Sequence, residues 1–446
     1  DEETMTNGNS SREIILDILL EILEKGSYSH IVLSQALSKY QYLDKQERAF
    51  ISRIVEGTVE YTLQLDYVIN SYSSVKVKKM KPVIRTLLRM SVYQILYMDR
   101  VPDSAVCNEA VKLAQKRKFT GLKGFVNGVL RGISRNKEQL KWPDDSVRYS
   151  MPSWILDMWK DTYGEEITVS MAKAFLKPSR TAVRCNLNRA SKQEIMDSLK
   201  SQGVTVEETP LSETVLYLSK YDYLESLDAF ASGLISVQDM SSSFVGEIAD
   251  PKEGDVCIDV CGAPGGKSLH IADKLKGTGM VTVRDLTEQK VALIEENIAR
   301  SGFTNIRAEV HDALVPDQAW EGRADIVLAD LPCSGLGIIG RKPDIKYRMT
   351  MEQLAELAAL QREILSVVQS YVKPGGKLIY STCTIDSQEN EENAAWFLEN
   401  FPFDAVNLEG KLGETLNAAS MKSGMIQLLP GIHPCDGFFI AAFQKR

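Results

Sequence analysis

Residues 255–268 read DVCIDVCGAPGGKS, and the reading of this stretch decides the fold. An apolar run, Val256, Cys257 and Ile258, ends in Asp259. The chain then turns through Gly262, Gly265 and Gly266 before Lys267 and Ser268 open a helical stretch. A short apolar run closed by a glycine turn is the pattern of a strand buried on both faces. The same text recurs downstream as GMVTVRD (279–285), NIRAEVHD (305–312), ADIVLAD (324–330) and GKLIYSTC (376–383). Between these runs lie helical segments such as TEQKVALIEENIARSG (287–302) and MEQLAELAALQREILSVVQSYV (351–372). Such alternation predicts an α/β, Rossmann-like domain, a parallel sheet with helices on both faces. Ligands of these sheets sit at the carboxyl ends of the strands, so the chemistry is sought there.

The first strand end offers a run of backbone, Cys261, Gly262, Ala263, Pro264, Gly265, Gly266 and Lys267, that can approach a polar ligand closely. Two nucleotide motifs fail on spacing. A P-loop needs glycine where Cys261 stands, and the dinucleotide pattern needs glycines two apart, whereas Gly262 and Gly265 are three apart. Asp285 ends the second strand, about 20 residues on, where a carboxylate can accept from both ribose hydroxyls. Asp312 and Asp330 follow the third and fourth strands. Any one of these aspartates could be a helix cap. With Asp259 there are four around one glycine turn, the set that a ligand with a ribose, a purine amino group and a cationic centre would use. Cys333, in Asp330-Leu-Pro-Cys333-Ser-Gly335, and Cys383, in Ser381-Thr-Cys383-Thr384, lie in polar turns after neighbouring strands, so both thiols are expected to face one pocket.

Upstream, residues 11–140 carry apolar residues at three and four spacing and predict a bundle of about six short helices. KWPDDSVRYSMPSW, with Pro143 and Pro152, marks a boundary. Beyond it TAVRCNLN and TVLYLS read as strands around the helix KQEIMDSLKSQG, a small α+β module. The expected domains are 5–145, 146–235 and 236–446. With 446 residues, 44% hydrophobic and 25% charged, the chain has room for that many cores and is neither disordered nor collagenous. Its seven cysteines show no framework spacing, which points to a reducing, cytoplasmic setting. Cys257 and Cys261 do not match zinc spacing, so no metal is expected. Asp17, Glu21 and Glu24 break up the first apolar segment, which is therefore an amphipathic helix, and no run is long enough for a membrane span. The net charge is −8, yet residues 71–141 hold 16 Lys and Arg against four acidic residues, a local +12. A basic module on an acidic body predicts a polyanion-binding surface or, at its simplest, solvated helix faces.

Three of these stretches carry a family resemblance: CGAPGGKS, DLPCSGLG and YSTCTIDSQENEEN resemble the signature motifs of S-adenosylmethionine-dependent RNA cytosine-5 methyltransferases. The likeness runs over residues 150–446, including LLPGIHPCDGFFIAAF near the end, while residues 11–140 look like a NusB-type RNA-binding domain. The pairing is similar to the bacterial members of that family that act on 16S ribosomal RNA. The resemblance implies S-adenosylmethionine as cofactor, RNA as partner with no obligate protein partner, and Cys383 as the nucleophile that attacks C6. It also implies Asp330 stabilising charge at N3, Cys333 assisting removal of the C5 proton, and Arg184 and Asn186 facing RNA. Leu331 departs from the pattern, since relatives usually have alanine there. Transfer RNA or large-subunit rRNA as substrate, or a non-catalytic RNA-binding or antitermination factor, are the alternatives.

Overall fold

The computed structural model describes residues 10–412, 416 and 418–446, so the expected domain start at residue 5 lies outside the described residues. The chain forms two compact units, one running to Lys177 and adding Ile339–Arg348, the other Pro178–Ile338 with Met349–Arg446.

In the first unit seven helices lie between Ser11 and Asn136, one more than the periodicity suggested. Their apolar faces, among them Ile15, Leu19, Ile54, Leu65, Leu88 and Leu130, close one core. The helices Ser153–Tyr163 and Glu165–Phe175 belong to this unit as well. Ile339–Arg348 returns to it from far along the sequence. Asp344 accepts from Ser29 N and Oγ at 3.1 and 2.6 Å, and the buried Tyr347 hydroxyl donates to Glu60 O at 2.6 Å. Burial pushes Lys346 down to about 8, with the Glu60 carboxylate opposing that shift.

The second unit holds two sheets. A four-stranded antiparallel sheet, β1 (Thr181–Cys185), β2 (Thr205–Thr209), β3 (Ser212–Ser219) and β4 (Ile235–Val237), has the order β2-β3-β1-β4. The larger sheet contains β5 (Val256–Asp259), β6 (Met280–Asp285), β7 (Ile306–Val310), β8 (Ala324–Asp330), β9 (Val372–Thr382), β10 (Phe403–Ala405), β11 (Met425–Leu428) and β12 (Phe438–Lys445). Its order is β10-β12-β9-β8-β5-β6-β7, with β11 also on β12. The five strands from β5 to β9 are parallel, as the sequence predicts, and the C-terminal strands add an antiparallel edge. The strand order reverses between β5 and β8, the point where such sheets open a crevice for ligand. Among the described residues no helix is long and apolar enough to cross a membrane.

Candidate active site

The glycine turn after β5 is shaped by contact as much as by flexibility. A Cβ on Gly262 would lie 2.3 Å from Val283 Cγ1 and 2.9 Å from the Asp259 carboxyl, so only glycine lets the turn settle between β5 and β6. The turn is tied from outside: Ala263 N donates to Asp285 Oδ2 at 2.9 Å, and Pro264 O accepts from Asn297 Nδ2 at 2.9 Å. Gly265 precedes the helix Gly266–Lys274, whose Ser268 hydroxyl donates to Asp259 Oδ2 at 2.6 Å. Asp259 is fully buried, and desolvation pushes its carboxyl up to about 7 against the Ser268 hydrogen bond.

A cleft of about 110 Å³ opens over this turn, lined by Asp259, Gly262, Ala263, Pro264, Gly266, Lys267 and Asp330 with Gln238, Asp239 and Ser242. Lys267 Nζ donates to Asp330 Oδ2 at 2.8 Å, and Ser381 Oγ donates to Asp330 Oδ1 at 2.9 Å. Burial acts to lower the Lys267 ammonium, but Asp330, and beyond it Asp259 and Cys383, raise it above its ordinary value. Asp285 is nearly buried at the end of β6, with Oδ1 taking Leu286 N at 2.7 Å. Asp312 is exposed two residues past β7 and accepts from Leu314 N at 2.9 Å, so of the four aspartates it stands farthest from the turn's own hydrogen bonds.

The two cysteines are brought together. Strands β8 and β9 pair in parallel with Asp330 opposite Ser381, and the turns that follow set Cys333 Sγ 3.4 Å from Cys383 Sγ. The Cys333 thiol is held well above its ordinary value, first by its hydrogen bond to Cys383, then by burial, then by the Cys383 and Glu389 charges. The turn carrying Cys333 is pressed against the chain near the C-terminus. A Cβ on Gly337 would lie 2.1 Å from Gly437 O and 2.7 Å from Cys383 O.

Arg184 and Asn186 correct the expectation that they face RNA. Both are fully buried, since β1 is flanked by β3 and β4. Arg184 donates from Nε to Gln238 Oε1 at 2.7 Å and from a terminal nitrogen to Asn186 Oδ1 at 2.6 Å, and Asn186 Nδ2 donates to Gly233 O at 2.7 Å. Their work is to hold Gln238 at the cleft. Gln238, Asp239 and Ser242 escaped the sequence reading, although ISVQD (235–239) is a short strand ending in polar residues, the same signal used at the other strand ends. Leu331 is buried in the core beside β8. The described residues contain no cluster suited to a metal ion.

The +12 of residues 71–141 is partly neutralised within the first unit. Arg89 pairs with Asp66 at 2.7 Å, Arg117 with Asp17 at 2.6 Å, and Lys137 with Asp103 at 3.0 Å, while Arg85 and Lys116 reach Glu24 and Glu13. Lys76, Lys78, Lys79, Lys81, Lys118 and Lys123 are exposed, and among the described residues none of the six forms an ion pair.

The parallel sheet, the glycine turn at its switch point and the carboxylates around it define the class I fold of S-adenosylmethionine-dependent methyltransferases. Comparison with known proteins agrees. The model of the 16S rRNA methyltransferase RsmB/F family matches residues 247–444, the NusB family model matches 9–135, and the ferredoxin-like domain of RsmF/B-like methyltransferases matches 151–222. A probable ribosomal RNA small subunit methyltransferase B from Bacillus subtilis (strain 168) is 37% identical, over 98% of this chain and 99% of its own. One from Synechocystis sp. is 32% identical, over 98% and 99%. The crystal structure of PH0851 superposes with a TM-score of 0.83 at 26% identity, covering 98% of this chain and all of that one. The chain belongs to the 16S rRNA methyltransferase RsmB/F family.

Proposed function

We propose that this protein methylates C5 of a cytosine in 16S rRNA through a covalent bond between Cys383 and C6 of the base. The observation that carries the reading is the sulfur pair, 3.4 Å apart and within hydrogen-bond reach of each other, beside the Lys267–Asp330 ion pair. The lining suits S-adenosylmethionine: a cationic centre would meet Asp330, and glycine backbone leaves room for close approach. Residues Cys261–Lys267, Asp285, Asp312 and Asp330 would hold that cofactor, which supplies the methyl group.

Cytosine C5 is a weak nucleophile until a thiolate adds at C6 and pushes electron density onto C5 and N3. By its resemblance to the family motif Cys383 makes the bond, as the thiolate. Asp330, held by Lys267, would stabilise the developing charge at N3. Once the Cys383 sulfur is bonded to carbon and C5 carries the methyl group, Cys333 gives its own proton to solvent, the one proton the overall reaction releases, and as a thiolate can act as base. It then takes the C5 proton, the C–H electrons form the C5–C6 double bond, and Cys383 leaves as thiolate. That restores the starting arrangement.

The division at 145/146 and 235/236 belongs to the same proposal: a NusB-like domain and a small module that hold RNA by phosphate contacts and shape, ahead of a catalytic domain in a cytoplasmic enzyme. A denaturing gel after incubation with 16S rRNA and S-adenosylmethionine tests the chemistry. Cys383→Ala is expected to give neither methylation nor adduct, and Cys333→Ala to trap a protein–RNA adduct. Full activity in both variants refutes covalent catalysis.

A further inference from the structure

Behind the sulfur pair lies a buried carboxylate that the mechanism has not used. Glu389 is completely buried and accepts from Ser334 N at 2.9 Å, Ser334 Oγ at 2.5 Å and Gln361 Nε2 at 3.0 Å. No Lys or Arg is among these donors. A carboxylate kept from water without a counter-ion is costly, and it persists only where its hydrogen bonds are complete. Burial, and then the neighbouring Glu389 carboxyl, push the Asp386 carboxyl up to about 8.

The hydrogen bonds around Glu389 have a forced direction. Ser334 Oγ gives its proton to Glu389, so in its 2.6 Å bond with Thr384 Oγ1 it must accept. Thr384 Oγ1 in turn accepts from Leu336 N at 3.1 Å. The chain Leu336 N–H, Thr384 hydroxyl, Ser334 hydroxyl, Glu389 therefore stitches the residue after Cys333 to the residue after Cys383. Gln361 adds a second hold on the first turn, since its Nε2 also donates to Pro332 O at 2.9 Å.

We infer that Glu389 is a positioning residue that fixes Cys333 beside Cys383 and is needed at the release step. The inference rests on the covalent reading above. In Glu389→Gln the volume is kept, but the amide nitrogen replaces an acceptor: set against Ser334 N–H it strands that donor, and set against Ser334 Oγ it reverses that hydroxyl and takes away the acceptor of the Thr384 proton. The directed chain cannot form as it stands, and the Cys333 turn is freed while the Cys383 strand β9 remains in the sheet. Methyl transfer in a single turnover should persist, whereas release of the adduct should slow.

The test follows adduct and product over time in the native protein and in Cys333→Ala, Glu389→Gln and Ser334→Ala, with S-adenosylmethionine affinity as a readout of an intact site. Glu389→Gln is expected to bind S-adenosylmethionine within about twofold of native, to lose at least tenfold in multiple-turnover rate and to accumulate adduct as Cys333→Ala does. Ser334→Ala, which keeps its backbone bond to Glu389, should do the same to a smaller degree, and it decides the question if Glu389→Gln does not fold. Adduct in Cys333→Ala but in neither of the other variants overturns the role of Glu389 alone. No adduct in Cys333→Ala overturns the covalent reading beneath it.

Discussion

Replacing Asp259 by asparagine should remove the pH dependence of stability that this buried carboxyl creates. In the folded protein the Asp259 carboxyl sits at about 7, against 3.8 ordinarily, because burial penalises its charged form. Between those values the unfolded chain has released the proton and the folded one has kept it. Stability contributed by this group is therefore full below about pH 4, falls as pH rises and levels off above 7. Three pH units at 1.36 kcal/mol each give a loss of about 4 kcal/mol across that window. Asparagine does not titrate and escapes the loss. It pays a constant penalty, because Asp259 Oδ1 lies buried without a partner, and an amide nitrogen placed there strands a donor at a cost of about 1–3 kcal/mol. Asp259→Asn should accordingly be less stable than native at pH 4 and more stable at pH 8. Scanning calorimetry at half-unit pH intervals, following the transition of the catalytic unit, measures the difference. The reasoning fails if that difference is flat between pH 4 and 7, whatever its sign.

Other expectations follow from single contacts. Arg184→Ala leaves the Gln238 and Asn186 oxygens buried without donors and should cost roughly 1–3 kcal/mol for each, while the salt dependence of RNA binding, measured by filter binding, stays unchanged. Asp285→Ala removes the acceptor of Ala263 N and should weaken S-adenosylmethionine by about 1–3 kcal/mol in titration calorimetry. Replacing Lys78, Lys79 and Lys81 together with glutamine should reduce the slope of log affinity against log salt by about 2, near 0.7 per phosphate contact, and an unchanged slope removes them from the interface. Gly337→Ala forces the Cys333 turn off Gly437 O and should lower turnover about a hundredfold with S-adenosylmethionine affinity intact.

Much of the fold was legible because its information is local. Each of the five parallel strands is an apolar run ended by a polar residue, and the helices between them show their own period, so order and direction follow from pattern and from the rule that crossovers are parallel. The antiparallel edge was not legible. Phe438–Lys445 is apolar along most of its length and pairs with β9, whose partner on the other side comes from much earlier in the chain. Nor was the return of Ile339–Arg348 to the helical unit, because one buried lysine and one half-buried tyrosine in a single helical turn, Ile345–Arg348, leave no periodic mark.

The candidate site divides along the same line. Cys333 and Cys383 could be paired from sequence, since each follows a strand and those strands are neighbours in a parallel sheet. What the sequence leaves open is the set of hydrogen bonds that ties the two turns together, which comes from groups outside both cysteines. Arg184 shows the converse error: an arginine on a strand reads as a surface residue until its partner is known, and its partner Gln238 lies 54 residues away. Glu389 is the sharper case. It lies in a helix-opening run of Glu and Asn that looks like solvated surface, QENEEN, yet Glu389 and Asn390 are both fully buried. Charged residues bury only when donors from elsewhere complete them. Here the donors come from Ser334 and Gln361, so the segment that follows Cys383 supplies the anchor for the Cys333 turn. On the proposed covalent route, a variant that loosens the Cys333 turn should alter release before it alters attack.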